Sequence, residues 1–132
     1  MDIDAALEEI RSNGAGTLVT LRADGSPHAS VVFAAVVDGG LWISSRKPLV
    51  KVRNIRRDPR VAFSSGIAEW VTVEGTARIH EGGDVLEKLR RYYRTARGEH
   101  PDWEDYDRAM IRDERLIIEI RPARAYGGGR GG

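Results

Sequence analysis

Apolar positions follow two periods along this chain, and the switches between them mark its elements. Ile3, Leu7 and Ile10 recur at helical spacing over residues 2–12, and Asn13-Gly14 supplies a stop. Thr17 to Leu21 and Pro27 to Val37 are rich in β-branched residues, and Ala23-Asp24-Gly25-Ser26 between them predicts a hairpin turn. A third strand, Leu41 to Ser45, follows Asp38-Gly39-Gly40 and makes a meander. Within the second strand nearly every residue from Ala29 to Val37 is apolar, the pattern of a strand covered on both faces. In a chain this small, a partner subunit or a flat ligand has to supply part of that cover, although a central strand under a helix reads the same way. Its small residues, Ala29, Ser30, Ala34 and Ala35, leave room for an aromatic ring close to the backbone.

From Trp70 the pattern alternates: Val71, Val73, Ala77 and Ile79 point one way, and Trp70, Thr72, Glu74, Thr76 and Arg78 the other. An indole at the head of the polar row implies packing at an interface or contact with a ligand. Asp84 and Glu87 have the spacing of a capping box, ahead of a helix carrying Val85, Leu86, Leu89, Tyr92, Tyr93 and Ala96. After Gly98 to Pro101, Asp102 is placed to cap a second helix striped by Trp103, Tyr106 and Met110. A last strand covers Leu116 to Ile120. The expected organisation is one domain over residues 1–126 and a Gly-rich disordered tail over 127–132.

Candidate chemistry concentrates between Leu41 and Phe63, which reads as strand, short helix and strand. Pro48 suits the first helical position, so the helix is expected to start there. Ser44, Ser45, Arg46, Lys47 and Lys51 surround that start, and free N–H groups, hydroxyls and cations in one place suit a phosphate. Leu49, Val52 and Ile55 form a narrow apolar stripe with Lys51 on its border. Solvated cations beside an ordinary turn fit the same spacing.

Composition narrows the alternatives. The chain has 132 residues with 21 Lys and Arg against 20 Asp and Glu, so a polyanionic partner finds no global field, and the run Arg53, Arg56, Arg57, Arg60 is a patch rather than a groove-reading stripe. There is no cysteine, which removes thiolate catalysis and Cys-ligated metals. His28, His80 and His100 are scattered without ligand spacing, so no metal is expected. Patterns for a nucleophile elbow, a P-loop or a dinucleotide fold are missing. The acidic, helical start has no apolar run for a leader or membrane span, and a cytoplasmic location is expected.

The pieces ADGSPHAS, SSRKPLVKVRNIRRDPRVAF, WVTVEGTA, YYRTARGEHPDWEDYDRAMIRDER and the terminal AYG, in this order, resemble the split β-barrel flavin and deazaflavin oxidoreductases related to pyridoxamine 5′-phosphate oxidase. GEHPDWEDY followed by RAM is most similar to the actinobacterial branch that uses coenzyme F420. The resemblance implies a mostly β fold, a six-stranded antiparallel split barrel of Greek-key character flanked by short helices. It implies a homodimer with the cofactor, F420 or alternatively FMN, at the subunit interface, and a small-molecule substrate. Ser30, Val31, Val32 and Phe33 would give backbone contacts to the ring. Ser44, Ser45, Arg46 and Lys51 would hold the phosphate, Arg53 and Asn54 match a K-x-R-N segment, and Ala68 to Trp70 would come from the second subunit. The close branch carries Arg two residues before the helix Lys. Here that residue is Leu49, so Arg46 or Lys47 has to replace the charge. No catalytic residue is implied, and solvent or Tyr126 is left as a proton source. The activity implied is hydride transfer to a small organic acceptor, the alternatives being an FMN-dependent oxidoreductase or a non-catalytic F420 carrier.

Overall fold

The computed structural model describes Met1 to Gly128. Its elements are α1 (Ile3–Ser12), β1 (Ala15–Leu21), β2 (Pro27–Phe33), β3 (Ala35–Val37), β4 (Gly40–Arg46), α2 (Val50–Arg57), β5 (Arg60–Gly66), β6 (Trp70–His80), α3 (Val85–Arg97), α4 (Trp103–Arg112) and β7 (Arg115–Gly128). The strands form one antiparallel sheet in the order β2-β1-β5-β6-β7-β4-β3. Its two end strands, β2 and β3, are consecutive in the chain and joined by Ala34 alone, so the sheet curls until it nearly closes on itself. This is the expected antiparallel barrel, with seven strands where six were predicted.

The extra strand comes from a change of partner. The Ala34 N–H still donates to the Gly14 carbonyl at 2.8 Å, but β1 goes no further, and from Ala35 the chain pairs with β4 instead. Burial changes at the same residue. Ala34 to Val37 are buried, whereas β2 alternates and turns Ala29, Val31 and Phe33 outward, Val31 being 85% exposed. Cover on both faces therefore holds only beyond Phe33, because among the described residues no element lies over the outside of β2.

Inside the barrel, Leu18, Leu41, Ile43, Phe63, Val73 and Ile118 pack with Leu7 and Ile10 of α1 and Val52 and Ile55 of α2. A second cluster, with Trp42, Leu89, Tyr106 and Ile117 at its centre, lies on the outer face beneath α3 and α4. Of the two predicted caps only Asp102 acts as one, and Asp2 is a cap that was not predicted. Asp2 accepts from Ala5 N–H at 2.7 Å and Asp102 from Asp105 N–H at 3.1 Å, but the Asp84 side chain caps nothing and pairs with Lys88 at 3.3 Å.

Two boundaries differ from expectation. α2 begins at Val50 with Leu49 as its N-cap, and Pro48 sits in the preceding turn. β7 runs well past Ile120 because a bulge hides its continuation: Glu74 opposes Arg124 and Gly75 opposes Pro122, leaving Ala123 as the extra residue. The inward set then shifts from Leu116, Ile118 and Ile120 to Ala125. Proline is tolerated at such an irregularity. β7 comes so close that a Cβ on Gly75 would stand 2.0 Å from the Arg121 carbonyl oxygen. Gly127 and Gly128, expected in the tail, pair with Val71 and Trp70; the remainder of that tail, 129–132, lies outside the described residues. No helix among the described residues is long and apolar enough to cross a membrane.

Candidate cofactor site

Strand register determines where backbone groups are left free. Ala34 and Ser26 both bond to the β1 side, so the even-numbered residues of β2 spend their backbone groups on β1, while Ala29, Val31 and Phe33 direct theirs to the open edge. On β4, the two-residue turn Asp38-Gly39 makes Gly40 and Trp42 bond β3, so Ser44 and Arg46 aim their backbone groups the same way, past the end of β3. Two unpaired edges therefore border one gap, the split in the barrel. A flat, hydrogen-bonding heterocycle is a natural occupant for such edges, since unpaired backbone groups need partners.

The outer end of the gap opens into a cleft of about 500 Å³ lined by Phe33, Ser44, Tyr92, Arg97, Tyr106 and Arg115 among others. Tyr92 Oη donates to the Phe33 carbonyl at 2.9 Å. Burial pushes the Tyr92 hydroxyl above its ordinary pKa, while the Ser44 backbone N–H, Arg97 and Arg115 pull it down. Beside the cleft, Arg46 and Arg115 are cross-strand partners on one face of the sheet, and the half-buried Lys51 stands next to them. Desolvation, then Arg115, then Arg46 push the Lys51 ammonium below its usual pKa. None of the three cations takes part in an ion pair among the described residues, whereas most other arginines do. Arg115 Nε and Ser45 Oγ are buried without a hydrogen-bond partner. Converging cations with unspent donors fit a phosphate: each gains a charge-assisted hydrogen bond, and the mutual repulsion is relieved.

The sequence-derived residues divide accordingly. Ser44 lines the cleft with Phe33, while Arg46 and Lys51 stand at its border beside Arg115. Ser44 and Ser45 do not converge, because β4 continues through both and sends successive side chains to opposite faces; Ser45 is 1% exposed and faces the barrel interior. In β2 the free backbone groups belong to Val31 and Phe33, whereas Ser30 and Val32 bond β1 and turn their side chains inward. Arg53 is exposed on α2. Asn54 is buried in the core, where its amide donates to Thr20 Oγ1 at 3.0 Å and accepts from Arg57 at 2.9 Å, so it is committed to the fold. Ala68 lies exposed in the β5–β6 turn beside Ile67, which is 96% exposed. Trp70 borders a separate hollow of about 320 Å³ with Met1, Glu9 and Asn13, and meets Tyr126 edge-on at 6.2 Å. Tyr126 bonds Glu74 on the outside of the sheet and does not line the cleft.

Sequence reasoning missed Arg115, Tyr92 and Arg97. Arg115 opens a strand far along the chain from Arg46, and only the β4–β7 register brings them side by side. Tyr92 belongs to an aromatic stripe that reads as core packing.

A barrel left unzipped along one seam, with cations at the mouth, defines the FMN-binding split-barrel class. The family profile described as pyridoxamine 5′-phosphate oxidase matches residues 3–127, and the chain belongs to that family, whose fold binds flavin-type cofactors. Among solved structures it is similar to a conserved hypothetical protein of Mycobacterium tuberculosis, at 26% identity and TM-score 0.81, over 98% of this chain and 85% of the other. A heme-binding protein of Mycobacterium smegmatis matches at 25% identity and TM-score 0.71, over 96% of this chain and 55% of that protein. An F420 reductase shares the fold at 22% identity and TM-score 0.69, over 90% of this chain and 94% of the other.

Proposed function

We propose that the chain binds coenzyme F420 in the split and transfers hydride between it and a small organic acceptor. The observation that carries this reading is the group Lys51, Arg46 and Arg115, without carboxylate partners, at the mouth of two unpaired strand edges. The motif order quoted above, with its likeness to the F420-using branch, and an F420 reductase among proteins of the same fold favour the deazaflavin over FMN. Lys51, Arg46 and Arg115 would hold the phosphate, and Val31, Ser44 and the Phe33 N–H would offer backbone donors and acceptors to the ring edge. Bound there, the deazaflavin supplies the hydride chemistry. This chain's part is to bind, orient and keep water from one face of the ring, and no side chain is assigned as acid or base.

The reading includes a homodimer. Val31 and Phe33 on the uncovered face of β2, and Ile67, Ala68 and Trp70 at the β5–β6 turn, are apolar surface that a second copy would cover, bringing its own Ala68 to Trp70 over the cofactor. Titration with oxidised and reduced F420 and with FMN, followed by stopped-flow oxidation of the reduced complex by enones and quinones, tests the proposal. Tight F420 binding with acceptor-dependent oxidation supports it. Preference for FMN moves the activity to a flavin-dependent oxidoreductase, and F420 binding inert to every acceptor moves it to a carrier.

A further inference from the structure

We propose that Tyr92 is the clasp of the split, a positioning residue whose hydroxyl ties the free β2 edge to α3, the helix that packs on β3, β4 and β7, and so sets the gap that a flat cofactor enters. What enters the gap rests on the function proposed above; the clasp itself rests on the geometry. β2 bonds its neighbours only on the β1 side, and β4 bonds β3 only as far as Trp42. Between Ala29–Phe33 and Ile43–Arg46 no backbone pairing is present among the described residues, so the strands do not fix this distance themselves. Tyr92 Oη donates to the carbonyl of Phe33 at 2.9 Å, and the cleft that Tyr92 lines reaches Ser44 on the other side of the gap. Phe33 and Ser44 belong to opposite edges, and register directs the backbone groups of both into the split.

A clasp works only on a rigid mount. On α3 the preceding turn is anchored by Leu89, which is fully buried and whose carbonyl accepts from Tyr106 Oη at 2.7 Å, joining α3 to α4. Next to Tyr92, the Tyr93 ring packs against Tyr106 at 5.2 Å, His100 at 4.9 Å and Trp103 at 5.8 Å. These ring contacts hold α3 against α4, and Tyr92 itself packs against the outer cluster of Trp42, Leu89, Tyr106 and Ile117. Arg97 and Arg115 flank it, so an anion entering the cleft meets the clasp and both cations together. Substrate or cofactor binding then acts on a gap whose width has been set in advance, which lowers the ordering cost of binding.

Tyr92→Phe keeps the ring and deletes the oxygen, so folding is retained and the clasp is lost. Amide hydrogen exchange of the cofactor-free protein should show Ala34, whose N–H shares a peptide unit with the Phe33 carbonyl, exchanging roughly five- to tenfold faster, with the interiors of α3 and α4 unchanged, as expected for loss of one hydrogen bond that holds the end of β2. In the same variant F420 and FMN should bind several-fold more weakly, and bound FMN should show lower fluorescence anisotropy. A change confined to thermal stability, with affinity and anisotropy equal to the parent, overturns the positioning role. Unchanged Ala34 exchange overturns the clasp outright, and because it is read without ligand it decides even if the parent binds neither cofactor, an outcome that would refute the proposed function instead.

Discussion

Replacing Lys51 with alanine separates a phosphate site from a solvated surface charge, because the two make opposite predictions for binding and for stability. Without ligand, the Lys51 charge is disfavoured by its own desolvation and by Arg115 and Arg46. Removing it relieves that repulsion, so the melting temperature of the cofactor-free protein should stay level or rise. With ligand, the same ammonium supplies a charge-assisted hydrogen bond worth about 1.5–3 kcal/mol, and Lys51→Ala should weaken F420 or FMN binding by roughly tenfold to a hundredfold. pH provides a second reading. A lysine with a depressed pKa loses its proton below the usual 10.5, so cofactor affinity should fall as pH rises through the lowered value, and Lys51→Arg should flatten that fall. Fluorescence titration across pH, paired with thermal melts, measures both. Arg11→Ala on α1, where Arg11 pairs only with Glu8, controls for general charge loss. If Lys51→Ala binds both cofactors as well as the parent, the phosphate site is wrong.

Three further outcomes are expected. Asn54→Ala should destabilise the fold by about 1–3 kcal/mol in denaturant melts, since Thr20 and Arg57 lose a buried partner, and cofactor affinity should remain near that of the parent; a selective loss of binding would return Asn54 to the site. Tyr106, pushed up to about 12 mainly by burial, stays protonated in the folded chain where the unfolded chain ionises near 10.0. Its contribution is therefore complete below 10.0 and lost as pH rises through about 12, a loss that alkaline melts should find reduced in Tyr106→Phe. Val31→Glu, at an 85% exposed position, should leave the monomer fold intact and halve the sedimenting mass at micromolar concentration; an unchanged dimer would place the interface elsewhere.

What could be read without coordinates was what depends on near neighbours. α1, the β1–β2 hairpin, the alternation of β6 and the Asp102 cap all follow from local period and turn chemistry. The distinction between Ser44 and Ser45 was legible as well, since both stand in one strand and successive side chains of a strand face opposite ways. Ala34 was not legible, because the change from β1 to β4 as partner depends on where β1 ends. The Arg46–Arg115 pairing and the approach of Tyr92 to Phe33 depend on how the sheet closes. Asn54 shows the converse limit: a motif match placed it with the ligand, and the buried contact with Thr20, on a distant strand, assigns it to the core.

The central claim is that the split holds a phosphate-bearing redox cofactor with the phosphate on Lys51, Arg46 and Arg115. A crystal structure of the protein saturated with F420, and another with FMN, tests it most directly. The account predicts the phosphate within hydrogen-bonding distance of Lys51 Nζ and the Arg115 guanidinium, with the ring edge along Val31, Phe33 and Ser44. A cofactor seated in the hollow beside Met1 and Trp70, or a phosphate away from all three cations, would contradict it.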